Sequence, residues 1–224
     1  MKSMATNMIN LLFWLYRSLA RGARSTIQQA TPGLFVYELI RRPGTVGAVC
    51  SSSATLTRAM AKSVPADGEG LVVELGAGTG TVTSALLEQG ISPARLVLIE
   101  QSPAFVRHLR RRYPSLLVVQ GDAAKLNDYL PKGAAVDAIV SSLPLRSLPP
   151  ADVNSITAQW RRLLPHAGIL VQFTYDLRGL TPSAYLGFEE LERELIWRNI
   201  PPARVVTLSR DVEGDECSAM KSVA

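Results

Sequence analysis

The stretch Val72 to Gly90, VVELGAGTGTVTSALLEQG, sets Glu74, Gly76, Gly78 and Gly80 two residues apart between a strand-like run and a helical one. Glycine suits such a turn because a bulky side chain would forbid the backbone angles and keep a ligand off the main chain. Two further carboxylates stand at matching points downstream. Glu100 closes the apolar run LVLIE, twenty residues after Gly80, and Asp122 follows the run LLVVQG. An acid at the end of the second strand can accept hydrogen bonds from both hydroxyls of a ribose. One after the third strand can accept from an adenine amino group, with the Ala123 amide offered beside it. The residues therefore describe a nucleoside site built from strand ends.

A dinucleotide is disfavoured, because G-x-G-x-x-G fails: counting from Gly76, the sixth position is Thr81. E-x-G-x-G-x-G instead resembles the S-adenosyl-L-methionine (SAM) loop of seven-stranded methyltransferases, in which no pyrophosphate is cradled. Glu74, Gly76, Gly78, Gly80, Glu100, Gln101, Gly121, Asp122, Ala123 and Ser141 are the residues expected to line that cofactor. For either downstream acid alone, the ordinary reading is a solvated strand-end carboxylate. Beyond the fourth strand, SSLPLRSLPP puts Ser142, Leu143, Pro144 and Leu145 where methylases of exocyclic amines carry Asn/Asp-Pro-Pro-Tyr or Asn-Leu-Pro-Tyr. Leu145 cannot stack on a base as an aromatic would, which favours an aliphatic substrate.

Methyl transfer from a sulfonium is an in-line displacement that positioning alone can accelerate greatly. The amine must first lose a proton, so an acceptor is sought: Ser142, Tyr175 with Asp176, and Tyr37 are the candidates. Tyr37 and Tyr175 read equally well as packing residues. His108, in VRHLRRR, reads as part of a solvated helix face, and His166 as a turn residue with a structural role. Arg107, Arg110, Arg111 and Arg112 read as a solvated face, with a secondary phosphate contact as the alternative. Two histidines and two distant cysteines, Cys50 and Cys217, suggest neither a metal centre nor a disulfide framework.

These residues need a scaffold of alternating strands and helices. Strand-like runs at Leu71–Leu75, Leu96–Ile99, Leu116–Val119, Ala135–Val140 and Ile169–Phe173 alternate with helical patterns such as Thr81–Gln89 and Pro103–Arg112. That order predicts an α/β fold with a Rossmann-like, mostly parallel seven-stranded sheet and helices on both faces. Further helices are expected at Leu34–Ile40, at 53–62 and near Ser183–Arg193. A strand near Leu195–Asn199, the breaker Pro201-Pro202 and the strand ARVVTLSR predict an antiparallel edge. The expected organisation is an amphipathic helix within 1–30, a helical cover over the substrate site at 31–64, a core at 65–210 and a flexible tail at 211–224.

At 224 residues and 47% hydrophobic content the chain can bury one substantial core. Its net charge of +5 is concentrated at one end: residues 1–44 carry Lys2, Arg17, Arg21, Arg24, Arg41 and Arg42 against Glu38 alone. An anionic surface, lipid or nucleic acid, is the implied partner. The segment NMINLLFWLYRSLARGAR is too short an apolar run to span a bilayer. As a signal peptide it would place arginines where cleavage needs small neutral residues. On a helix, Met8, Leu12, Leu15 and Leu19 form one stripe, with Arg17, Arg21 and Arg24 opposite and Trp14 at the boundary. Pattern alone balances a helix docked on the domain against an interfacial one.

Taken together, VGAVCSSSATLTRAMA, the glycine-loop stretch, VSSLPLRSLP and WRNIPPARV resemble the bacterial phospholipid N-methyltransferases, over about residues 34–208. Ser51 stands where that family usually has proline, and Ser142 where it often has glycine. The resemblance implies SAM-dependent N-methylation of phosphatidylethanolamine toward phosphatidylcholine, on the inner face of a bacterial membrane. It also implies a peripheral attachment, for which residues 7–28 supply the basic amphipathic helix, with no nucleic-acid partner. Similar enzymes act on ornithine lipids. An rRNA adenine N6-dimethyltransferase is the nearest rival, but it would want an aromatic at 145 and an RNA-binding domain where only fourteen residues follow Arg210. A small-molecule methyltransferase would leave the basic N-terminus without a role. A non-catalytic SAM-binding protein would have less use for the full set of acids and glycines.

Overall fold

The structure, a computed structural model, describes residues 53–175, 187–199 and 202–210. The predicted helices at 1–30 and Leu34–Ile40, Tyr37, Asp176 and the predicted tail lie outside these residues. The chain enters through helix α1 (Ala54–Lys62), capped by Ser53, whose Oγ accepts the Leu56 amide at 3.2 Å. Then follow β1 (Leu71–Leu75), α2 (Thr81–Glu88), β2 (Leu96–Glu100), α3 (Pro103–Arg112), β3 (Leu117–Gln120) and a 3-10 stretch Ala123–Tyr129. The second half holds β4 (Val136–Ser141), α4 (Pro150–Leu163), β5 (Ile169–Thr174), β6 (Phe188–Ile196) and β7 (Ala203–Arg210).

The seven strands form one sheet in the order β3-β2-β1-β4-β5-β7-β6. β1 to β5 run parallel, and only β7 is reversed, antiparallel to both β5 and β6. The expected Rossmann-like fold is therefore the one observed, with the reversed strand sitting one place in from the edge. The inner strands are apolar runs because both their faces are covered. Residues of α1, α2 and α3 pack on one face, with Val72, Leu98 and Val140. The 3-10 stretch and α4 cover the other, with Val73, Ile139 and the fully buried Trp160.

The register lines up Ile99, Leu75, Ser141 and Gln172 in one row across β2, β1, β4 and β5. Everything one residue further along belongs to the carboxyl rim of the sheet. At the opposite rim, Arg95 donates to the carbonyls of Gly70 (2.7 Å) and Ala66 (2.8 Å) and pairs with Asp137 at 3.0 Å. That cluster fastens β1, β2 and β4 at the end away from the glycine loop.

One expected element is corrected. Of the helix expected near Ser183–Arg193, residues 188–193 belong to β6. Pairing with β7 overrides the intrinsic helix preference of Glu189, Glu190, Glu192 and Arg193. Such charges suit an edge strand, where they discourage pairing with another chain. The strand expected at Leu195–Asn199 ends at Ile196, and 197–199 form the turn that follows.

Candidate functional site

The glycine loop leaves β1 at the carboxyl rim and turns into α2. Gly78 and Gly80 take φ of +55° and +80°, in the left-handed region where a side chain is strained. Among the described residues a Cβ on Gly78 would meet only the Gly76 carbonyl oxygen, at 3.9 Å, so little of the described chain packs against its backbone. A ligand can approach the main chain at that point. Leu143 closes the loop from the β4 side, its Cδ2 3.1 Å from where a Gly76 Cβ would stand.

Glu100, at the end of β2, joins this loop directly. Its Oε2 accepts the Gly78 amide at 3.0 Å and its Oε1 the Ser102 amide at 2.7 Å. Each oxygen keeps a further lone pair, so the carboxylate can still receive two hydroxyl hydrogens. Gln101 lies exposed beside it. Asp122 caps the 3-10 stretch, Oδ1 accepting the Ala124 amide at 2.9 Å, and is itself exposed, with Ala123 half-buried next to it. Gly121 is needed for packing, since a Cβ would lie 2.4 Å from the Tyr129 ring. Tyr129 in turn accepts the Asp122 amide through its hydroxyl at 3.1 Å.

Glu74 points into the interior on the α1–α3 face and is fully buried. Thr83 of α2 donates its hydroxyl to Oε2 at 2.6 Å, while Oε1 is buried without a partner. Burial pushes this carboxyl up from 4.5 to about 8. The hydrogen bonds from the Thr83 side chain and backbone pull it back part of the way, and the nearby Glu100 charge adds to the rise.

At the β4 corner, Ser141 is buried and its Oγ accepts the Leu143 amide at 3.3 Å. Ser142 is half-buried, its amide held by the Leu75 carbonyl at 2.9 Å. Gln172, absent from the predicted site, reaches over from β5. Its Nε2 donates to the carbonyls of Leu143 (3.0 Å) and Phe173 (2.8 Å), which fixes the amide orientation and leaves Oε1 buried and unpaired. The Leu143 carbonyl also accepts the Leu145 amide at 2.9 Å, so both its lone pairs are used. A glutamine in the otherwise apolar run ILVQFT was the available signal. Tyr175 stacks edge-on against Phe173, with centroids 5.4 Å apart, and packs on the core.

One reading of α3 is corrected, while the four arginines Arg107, Arg110, Arg111 and Arg112 are exposed as expected. His108 is half-buried with Nε2 enclosed and unpartnered, so it is not on a solvated face. Arg110 and Arg112 are exposed but engaged: Arg110 donates to the Val118 carbonyl at 2.9 Å, and Arg112 to that of Thr79 at 2.9 Å. His166 occupies an exposed turn before β5. Among the described residues no cluster of three or more His, Cys, Asp or Glu could hold a metal ion, and no helix is long and apolar enough to cross a membrane.

A glycine backbone at Gly78 with little packed against it among the described residues, and a rim carboxylate with lone pairs to spare, fit a polar, nucleoside-bearing ligand. Residues 72–168 match the family described as methyltransferase domain. The chain is 28% identical over 176 residues to the ornithine lipid N-methyltransferase of Singulisphaera acidiphila, which spans 76% of this chain and 91% of that protein. It is 25% identical over 123 residues to the ribosomal RNA small subunit methyltransferase A of Chlorobium limicola, over 55% of this chain but only 45% of that protein. Its fold is similar to that of a Burkholderia thailandensis 1,6-didemethyltoxoflavin-N1-methyltransferase, solved with its substrate and S-adenosylhomocysteine. The TM-score is 0.57 at 17% identity, over 84% of this chain and 94% of that one. The chain thus carries a class I methyltransferase domain whose cofactor is SAM.

Proposed function

We propose that this protein methylates the primary amine of a lipid head group at a membrane surface. The observation that carries this reading is the similarity to an ornithine lipid N-methyltransferase across 91% of that protein's length. Ornithine lipid and phosphatidylethanolamine both present an aliphatic amine in a bilayer. The apolar corner of Leu143 and the buried Leu145 suits such a group better than a flat base.

In this account the loop backbone at Gly78 and the Glu100 carboxylate hold the nucleoside, Glu100 taking the ribose hydroxyls. Asp122 and the Ala123 amide receive the adenine edge. SAM supplies a methyl group on a sulfonium that displacement transfers to nitrogen. The residues must then present a neutral amine in line. For an amine with the ordinary lysine value of ~10.4, forming the free base at pH 7 costs about 4–5 kcal/mol. Desolvation at the Leu143–Leu145 corner lowers that cost. Ser142 is the side chain we assign to hold the amine hydrogen there, because the Leu143 carbonyl has both lone pairs occupied.

Two features support a membrane setting. The turn after β6 carries Trp197, 65% exposed, and the exposed Arg198. Since Ile196 pairs with Ala203 and Thr174 with Arg204, this turn lies at the same rim as the glycine loop. An indole beside a cation suits a lipid interface. Asn199 of that turn accepts the Ser53 amide at 3.0 Å, so Ser53 lies beside it. A substrate whose head group stays in a bilayer favours the interfacial role for the basic, amphipathic N-terminal segment.

The test is incubation of the full chain with methyl-labelled SAM and vesicles of phosphatidylethanolamine or ornithine lipid, with and without anionic lipid, alongside ribosomal RNA. Label extracted with the lipid is expected. Label confined to the RNA would replace this reading with the nucleic-acid one.

A further inference from the structure

Three glycines give the cofactor loop freedom that something outside it must remove. The end of α3 does so through a chain of side chains. Tyr113, the residue after α3, donates its hydroxyl hydrogen to the Gly80 carbonyl at 2.8 Å. Its oxygen lies 2.6 Å from Ser84 Oγ, and since the tyrosine hydrogen is committed, Ser84 is the donor there. Ser84 Oγ in turn accepts from Arg112 Nη2 at 3.0 Å, and Arg112 Nη1 donates to the Thr79 carbonyl at 2.9 Å. Arg112 also lies over the Tyr113 ring, 5.1 Å from its centroid. Both hydroxyl hydrogens have a single destination, and two successive loop carbonyls are drawn toward α3.

The ring matters as well as the hydroxyl. A Cβ on Gly80 would stand 2.7 Å from Tyr113 Cε2 and 3.0 Å from Leu109 Cδ2. The loop is therefore seated against α3 at Gly80, while among the described residues little packs against Gly78, two residues away. The Gly80 carbonyl also accepts the Ser84 amide, so its lone pairs are full and the plane of that peptide is fixed.

We propose that Arg112, Ser84 and Tyr113 are positioning residues for SAM: they preorganise the loop, and so contribute to cofactor affinity without touching the cofactor. The role is independent of the lipid substrate. A preformed loop lowers the ordering cost of binding, so loss of the chain weakens binding more than turnover. The test uses S-adenosylhomocysteine binding by calorimetry and amide exchange of residues 78–82, with kinetics at saturating SAM.

Tyr113→Phe keeps the ring and removes both hydroxyl bonds; Arg112→Gln breaks the chain at its other end. Each is expected to raise Kd roughly tenfold and to speed loop exchange, with kcat within about twofold of the parent. Arg112→Lys, which keeps one charged donor, is expected to recover part of the affinity. Arg110→Gln, one turn from the loop and bonded to Val118 instead, controls for general loosening of α3. Parental Kd in both Tyr113→Phe and Arg112→Gln would overturn the proposal, as would an equal rise in Arg110→Gln.

Discussion

The Gly78 amide donates to Glu100 Oε2 at 3.0 Å, tying the glycine loop after β1 to the end of β2. The residue assigned to the ribose is thus also part of the loop's frame. Glu100→Ala removes this bond and the one from Ser102, each charge-assisted and worth about 1.5–3 kcal/mol. SAM affinity is expected to fall roughly a hundredfold or more in calorimetry. Glu100→Gln, with one acceptor left, should fall between. Parental affinity in the alanine variant would remove Glu100 from the site.

Glu74 predicts a pH dependence of stability. Its folded value of about 8 lies above the ordinary 4.5, so the folded state holds a proton that the unfolded state releases. The stability this gives is fully present below about 4.5, declines as pH rises, and is lost once pH passes about 8. The slope is at most about 1.4 kcal/mol per pH unit. Thermal melts without added SAM should show the parent losing stability from pH 5 to 8 relative to Glu74→Gln, which carries no titrating proton. Parallel curves would contradict the buried, largely neutral carboxyl.

Gln172 braces the acceptor corner without being exposed to it. Gln172→Leu preserves volume but releases the Leu143 and Phe173 carbonyls, two hydrogen bonds worth about 1 kcal/mol each. Steady-state kinetics should show kcat falling roughly tenfold or more while SAM affinity stays within about twofold. A change confined to SAM affinity would place Gln172 on the cofactor side instead.

The proposed membrane role should separate from cofactor binding. Trp197→Ala with Arg198→Glu, and independently Arg17, Arg21 and Arg24 changed to Glu or deletion of residues 1–24, are expected to weaken co-sedimentation with anionic vesicles. Each basic residue near such a surface contributes about 1 kcal/mol. Affinity for SAM should persist in all of them. Undiminished vesicle binding would return residues 7–24 to the role of an ordinary packing helix.

The parts of this protein that could be read from its sequence are those encoded locally. Strand, glycine turn and helix follow one another within Val72–Gly90, and the acids Glu100 and Asp122 each close an apolar run. What was hidden depends on distant partners. Gln172 acts on Leu143, twenty-nine residues away in sequence, and Arg112 on Thr79, thirty-three away. The run of arginines is solvated as its sequence suggests, but the bond from Arg112 to the loop is visible only once the loop beside it is known. Phe188–Ile196 carries helix-forming residues and becomes a strand because β7 offers a ladder. That Gly121 must be glycine to make room for the Tyr129 ring is likewise a packing fact the sequence does not show.

The most direct measurement is mass spectrometry of the lipid extracted after the full chain has acted on SAM and vesicles containing both phosphatidylethanolamine and ornithine lipid. The account predicts methyl groups on the head-group nitrogen of at least one of them, located by fragmentation. Unchanged lipid from a protein that binds SAM would contradict it.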